Sequence, residues 1–317
     1  MGDIVLTSPV IRTISKTYPD AQIHYATKVQ FASLLQHHPS IHTLHLLDKK
    51  NKKAFEKALI AVGFDTIIDL HNNLRTRLIA HKIKGAKVLR FDKLNWQKWI
   101  AVRTGSTYFL PTKHLVDRYF DSLQAIGVCN DGLGLDFYMD SDPLPTAVAQ
   151  NIPSQPYLAI AIGGQHFTKR LPLEKWEEIL NNCPFPVVVL GAKEDNDLAE
   201  QLCKTTKGSP RINLCGKTNI LQSAKVLKGA YKLISNDTGL MHIGAAFDMP
   251  ILSLWGNTIP AFGMYPYYPE GSKAALQSNR LEVEGLSCRP CSKIGHDSCP
   301  QGHFECMYKI EWNDKYF

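Results

Sequence analysis

Short apolar runs alternate along the chain with longer stretches whose apolar positions recur at helical spacing, the pattern of parallel sheets with crossover helices. In the first half, Ile23 to Ala26, Thr66 to Leu70 and Lys87 to Arg90 read as strands. The second half has a sharper pattern, with strands expected at Tyr157 to Ile162, Pro186 to Leu190, Tyr231 to Ser235 and Pro250 to Leu254, each running into a polar or Gly-rich loop. Pro143, Pro145, Pro153 and Pro156 lie between the halves. Proline removes an amide donor and disfavours helix at the residue before it, so a domain boundary is expected near residue 150. Ligands of open parallel sheets bind beyond the carboxyl ends of the strands, so the loops after these strands are where chemistry is to be sought.

The length, 317 residues, suits two domains, 1–150 and 151–317. With 44% hydrophobic and 21% charged residues, the composition is that of a folded globular protein and argues against collagen-like or disordered chains. No apolar run reaches the roughly 18 residues of a membrane span, and the start lacks the basic and apolar regions of a secretory signal. A cytoplasmic protein is therefore expected. Residues 1–150 hold 19 basic and 13 acidic residues, a net +6, against +1 for the rest. That asymmetry points to an anionic partner for the first half, whether nucleic acid, phosphorylated glycan or an anionic membrane face, unless it only solvates the surface. No zinc-finger spacing or aromatic RNA-binding strand accompanies the charge, so nucleic acid is the weakest of these.

Some tempting strings carry no site. Gly216-Lys217-Thr218 has Arg211 where a phosphate loop needs glycine, and the acidic pairs Asp140/Asp142 and Asp195/Asp197 sit in a linker and at a helix start. The informative stretch is Ser235-Asn236-Asp237-Thr238-Gly239-Leu240-Met241-His242, where a strand runs through a polar turn into a small-residue helix. The first-turn amides of such a helix bind phosphate, and Gly239 allows close approach. The competing explanation is that Asp237 caps the helix and His242 fills the core. Two further loops should converge there. Gly163-Gly164-Gln165-His166-Phe167-Thr168-Lys169-Arg170 offers glycines, a hydroxyl and two cations suited to a diphosphate without a metal, and Gly191 to Asp195 offers carboxylates suited to ribose hydroxyls.

Taken together and in order, Met1-Gly2-Asp3-Ile4 and the residues to Arg12, Lys169-Arg170-Leu171-Pro172, Asn236-Asp237-Thr238-Gly239-Leu240-Met241-His242 and Trp255-Gly256-Asn257-Thr258 resemble the ADP-heptose:lipopolysaccharide heptosyltransferases of glycosyltransferase family 9. The likeness covers nearly the whole chain. It implies the α/β GT-B architecture, two Rossmann-like parallel-sheet domains facing a central cleft, with the acceptor on the first and the nucleotide sugar on the second. It also implies inverting transfer of heptose from ADP-heptose to an anionic inner-core glycolipid, without a catalytic metal, at the inner face of the membrane. On the resemblance Asp3 is the general base and Lys169 neutralises the leaving diphosphate. Thr238 and Gly239 add donors, Asp237 holds donor-sugar hydroxyls, His242 shapes the loop and Glu194 meets the ribose, while Gly163, Gly164 and Thr168 complete the donor set. Acceptor contacts are expected from Asn73 and Arg75, which also read as a plain helix start. Two alternatives stay open: another nucleotide sugar serving a surface glycan, or a catalytically impaired nucleotide-sugar-binding protein.

The family usually carries a buried strand before the Gly-Asp pair, whereas this chain begins at the pair, so Met1 is expected to be an internal methionine. Eight cysteines include the tail set Cys288, Cys291, Cys299 and Cys306, spaced C-x2-C-x7-C-x6-C. That spacing is compatible with a structural zinc or iron site, or with reduced free thiols.

Overall fold

The computed structural model describes residues 1–204 and 208–317. Its first half pairs β1 (His24–Lys28) in parallel with β2 (Thr43–Leu47), and β3 (Thr66–Asp69) in parallel with β4 (Lys87–Arg90). These form two separate two-stranded sheets. Around them lie α1 (Gly2–Val5), α2 (Ser8–Thr17), α3 (Lys52–Val62), α4 (Leu74–Lys82), α5 (Asn95–Thr104) and α6 (Leu115–Asp121). The second half, entered through α7 (Thr146–Ala149), holds β5 (Leu158–Ala161), β6 (Val187–Leu190), β7 (Arg211–Asn213), β8 (Lys232–Asn236), β9 (Ile251–Trp255) and β10 (Asn279–Glu282). They form one parallel sheet in the order β10-β9-β8-β5-β6-β7. Its helices are α8 (Leu173–Leu180), α9 (Asn196–Lys204), α10 (Ile220–Lys228) and α11 (Gly239–Ala246).

Both faces of the large sheet are covered, which is why its strands read as continuous apolar runs. Along β5, Leu158 and Ile160 pack with Trp176 and Ile179 of α8, while Ala159 and Ala161 turn to the opposite cluster. That second cluster continues without a break through Met241 and Ile243 of α11 to Val5, Leu6, Val10 and Ile11 of the first half. Burying such a side chain is worth about 1.5–3 kcal/mol, so this shared cluster fixes α1 against α11. The order of the strands reverses between β5 and β8, and the crevice at their carboxyl ends is where an open parallel sheet takes its ligand.

All seven strands read from the sequence are present, within two residues at each end. The three not read are β2, β7 and β10. β2 is half-buried at every position, β7 has three residues, and β10 is a polar edge strand, so none shows a clean apolar run. Among the described residues no helix is long and apolar enough to cross a membrane.

Candidate active site

Asn236, fully buried at the end of β8, organises the crevice. Its Nδ2 donates to the carbonyls of Ile162 (2.8 Å) and Gly163 (3.2 Å), and its Oδ1 accepts from the amide of Leu171 (3.3 Å). Both ends of the loop after β5 are thereby tied to β8. The loop presents Lys169, whose Nζ lies 2.5 Å from Asp237 Oδ2, and Thr258 Oγ1 donates to the same oxygen at 3.1 Å. Asp237 therefore joins three loops instead of capping α11. The N-cap is Thr238, which makes no side-chain capping bond, and its hydroxyl lies 3.2 Å from Ser235 Oγ. The first-turn amides of α11 and its positive dipole end thus stand beside Lys169 and free of a side-chain cap.

Two of the expected glycines lie in close approach, and only at Gly163 is the neighbour a held group; at Gly239 it is the mobile Met1 side chain. A Cβ at Gly163 would come within 2.5 Å of Asp195 Oδ2, and one at Gly239 within 2.5 Å of the Met1 sulfur. The Gly164 carbonyl accepts from Arg170 Nε at 2.7 Å. Glu194 is exposed in the turn after β6, and its neighbour Asp195 is the buried carboxylate, accepting from the Ala192 amide at 2.8 Å. The backbone-organising acid of this loop is therefore Asp195, with Glu194 left at the surface.

His242 is buried, its Nδ1 has no partner, and burial lowers its pKa to about 3, so it is a neutral ring at any working pH. A Cβ at Gly2 would sit 2.5 Å from its Cδ2, so the absence of a side chain at Gly2 lets the first turn of the chain rest on α11. Asp3 follows immediately, exposed, and its charge is felt by His71, Lys98, Tyr25 and Tyr119.

Lys98 and Arg118 did not emerge from sequence reasoning. Arg118 is 7% exposed on α6, and its Nε and one Nη have no hydrogen-bond partner. Its guanidinium lies 5.3 Å from the centre of the Phe91 ring. Lys98, on α5, is pushed down to about 8, first by burial and then by Arg118, with Asp3 opposing. Arg118 is buried and Lys98 half-buried, and neither is bonded to a carboxylate among the described residues, although Asp3 acts on Lys98 and Asp92 and Asp121 act on Arg118 through space; desolvated cations of this kind suit an anion. The available signal was Arg118 amid Leu115, Val116, Tyr119 and Phe120, a charge on an otherwise buried helix face.

Asn73 is the N-cap of α4: its Oδ1 accepts from the Thr76 amide at 3.0 Å in a reciprocal capping box, and Arg75 is exposed in the first turn. The helix-start explanation thus accounts for Asn73. Asp69, 6% exposed, shapes this turn by accepting from the Asn72 amide (2.6 Å) and from Thr76 Oγ1 (2.8 Å).

The tail supports the donor loops. The Thr168 hydroxyl, expected to face the donor, is buried and used twice by His296, accepting from its amide at 2.8 Å and donating to its carbonyl at 3.2 Å. Arg289 donates to the carbonyls of Gly256 (2.5 Å) and Thr258 (2.9 Å). Between them Asn257, 1% exposed, leaves both side-chain polar atoms unpartnered, a buried amide beside the Asp237 cluster. All four tail cysteines are free. Cys288 Sγ lies 3.8 Å from His303 Nε2, whereas Cys306 packs in the apolar cluster with Phe304 and Met307, where burial pushes it up to about 12. The expected metal ligands are neighbours, yet among the described residues no three His, Cys, Asp or Glu side chains are grouped to hold a metal.

The profile of glycosyltransferase family 9 (heptosyltransferase) matches residues 53–285. The chain is 25% identical to lipopolysaccharide heptosyltransferase 1 of Pseudomonas aeruginosa over 92% of this chain and 84% of that protein. A family 9 glycosyltransferase from Veillonella parvula superposes with a TM-score of 0.67 at 23% identity, over 84% of this chain and 81% of that one. The Escherichia coli ADP-heptose heptosyltransferase II superposes at 0.63 and 18% identity, over 97% and 95% of the two chains. The α/β architecture is therefore the GT-B fold, and the chain, a glycosyltransferase, belongs to glycosyltransferase family 9.

Proposed function

We propose that this enzyme transfers heptose, with inversion, from ADP-heptose to an anionic sugar of an inner-core lipopolysaccharide acceptor. On this reading the chain divides near 150 into an acceptor half and a donor half. Asp3 takes the proton of the acceptor hydroxyl as its oxygen attacks the anomeric carbon, and the bond from that carbon to the diphosphate oxygen breaks with its electron pair leaving on ADP. Lys169, Thr238 and the α11 amides from Gly239 neutralise the departing diphosphate. Gly163 and Gly164 let it approach, Asp237 and Asn257 hold donor-sugar hydroxyls, His242 supports the first turn as a neutral ring, and Glu194 meets the ribose. Lys98 and Arg118 take the acceptor's anionic group, with Arg75 further out.

The observation that carries this reading is the seating of Gly2 on His242. It packs α1, which carries Asp3, against α11, and this supports reading Asp3 as a base beside the diphosphate cradle. Neutralisation by Lys169 and a helix end supports the expectation of catalysis without a metal, on which a chelator leaves the rate unchanged. Zinc or iron at the tail cysteines would be structural. One equivalent in anaerobically purified protein, lost in Cys291→Ser, tests that part separately.

The decisive experiment is ADP release from ADP-heptose with a heptose-deficient lipopolysaccharide acceptor, in the wild type, Asp3→Ala and Lys169→Ala. Acceptor-dependent release in the wild type, lost in both variants, is the expected result. Turnover of a different sugar nucleotide alone would overturn the donor, and ADP binding without any transfer would favour a binding protein.

A further inference from the structure

Helix α5 is built inside out. Lys98 and Ala101 share its inward face, where Ala101 packs with Leu110, Ile259 and Phe262 and Lys98 Nζ stands 5.6 Å from the Phe262 ring centre. Trp96, Trp99 and Arg103 follow one another at helical spacing on the outward face. Trp96 is 57% and Trp99 59% exposed. The patch continues through the loop that follows, with Tyr108 85% and Phe109 49% exposed. The rings touch in series, with centroids 5.6 Å apart for Trp96 and Phe109 and 5.1 Å for Tyr108 and Phe109. Single exposed apolar residues are ordinary, but three aromatics in contact, with Trp99 exposed one helical turn from Trp96, mark an interaction surface.

The charge around them indicates what the surface meets. Residues 93–113 contain no Asp or Glu; of their four cations Lys98 faces inward and Lys113 pairs with Asp121 at 2.6 Å, which leaves Lys93 and Arg103 as the charges beside the rings. Arg103 is exposed and has no carboxylate partner among the described residues. Tryptophan and tyrosine are amphipathic rings that settle at the headgroup level of a bilayer, and basic side chains beside them are drawn to anionic lipids. A second copy of the chain is disfavoured, because a two-fold contact would set this acid-free patch against itself.

We propose that α5 and the 105–110 loop form a docking surface for an anionic lipid bilayer. The helix is about 10–12 Å across, and its inward face carries Lys98, whose neighbours are Arg118 and Asp3. Docking therefore brings the headgroup plane one helix away from the cation pair, within reach of a sugar still attached to its lipid. The use of the surface rests on the proposed glycolipid acceptor, but the binding itself does not.

The test uses the full chain with vesicles of phosphatidylglycerol and phosphatidylcholine, compared with phosphatidylcholine alone. The wild type is expected to sediment with the anionic vesicles and to show a blue shift in tryptophan emission. The double variant Trp96→Ser/Trp99→Ser is expected to lose about tenfold in partitioning. Arg103→Glu, which keeps both rings, is expected to lose binding to anionic vesicles as well. With a water-soluble, deacylated acceptor the variants are expected to turn over like the wild type, and with the same acceptor in vesicles to fall behind it. Equal partitioning of wild type and both variants, or a wild type that ignores anionic vesicles, would overturn the proposal. A wild-type dimer dispersed by the tryptophan substitutions would overturn it in favour of a contact between copies. Lipid binding with no transfer would leave it standing while the heptosyl reading failed.

Discussion

The two sides of the crevice handle charge in opposite ways. In the second half, two cations of the loop after β5 have a carboxylate: Lys169 with Asp237 at 2.5 Å and Arg170 with Asp195 at 3.6 Å. In the first half, on the side proposed to take the acceptor, Lys98 has no bonded carboxylate among the described residues, and Arg118 lies buried with two nitrogens unpartnered. A pre-paired lysine holds its loop in place before substrate arrives, and must share its charge when a diphosphate enters. A desolvated cation pair held only by carboxylates acting through space costs stability until an anion arrives, so on the proposed function it supplies affinity for an anion and discriminates against neutral sugars. On the proposed function, one side serves rate and the other recognition.

Variants that erase this contrast order themselves by size. Removing the base, as Asp3→Asn, is expected to lower kcat by about 10²–10⁴-fold with little change in donor binding, measured by single-turnover ADP release. Lys169→Ala comes next: kcat is expected to fall about 10²–10³-fold, and Asp237, left without its cation, should loosen the Thr258 loop. Arg118→Met separates stability from recognition. It removes an unpaired buried charge, so thermal stability is expected to hold or rise while the acceptor KM rises about tenfold, a change of about 1.4 kcal/mol. A fall in both stability and affinity would mean that Arg118 has a structural partner in solution, and the contrast would fail.

Titration gives two smaller effects. Lys98 is protonated below about pH 8, so anion affinity is expected to weaken as pH rises through 8, and Lys98→Gln should flatten that rise in acceptor KM. Its burial lowers the pKa in the folded state, so the stability cost is present below pH 8 and is relieved towards the ordinary lysine value near 10.5. His242, near 3, and His114, near 4, are held neutral by burial while the unfolded chain protonates below about 6.5. Stability is therefore expected to fall as pH drops from 6.5 towards 4, and His242→Gln should reduce the slope of urea midpoints across that window.

The second half was largely legible in the sequence because buried parallel strands read as apolar runs and because a Gly-rich loop and a helix start leave local signatures. The motif containing Asn236, Asp237 and Thr238 located the crevice, and Lys169 lies in it as expected. What the motif did not contain was the division of labour: Asn236 ties the loops, Asp237 takes Lys169, and Thr238, not Asp237, is the cap. Thr168 looked like a ligand for phosphate because hydroxyls next to a lysine often are, and only the tail, 128 residues away, claims it. Asn73 and Thr76 form a local capping box that the spacing already allowed.

Periodicity, proline placement and the ordered motifs determined the fold class, the two parallel-sheet halves and the strand ends where the site lies, because each depends on residues close in sequence. The tertiary structure decided which groups meet across long separations: Gly2 with His242, Thr168 with His296, and Lys98 with Arg118 beside Asp3. Those contacts depend on how buried faces pack, and burial is also what leaves Arg118 unpaired and holds His242 neutral. Local pattern carries no record of either.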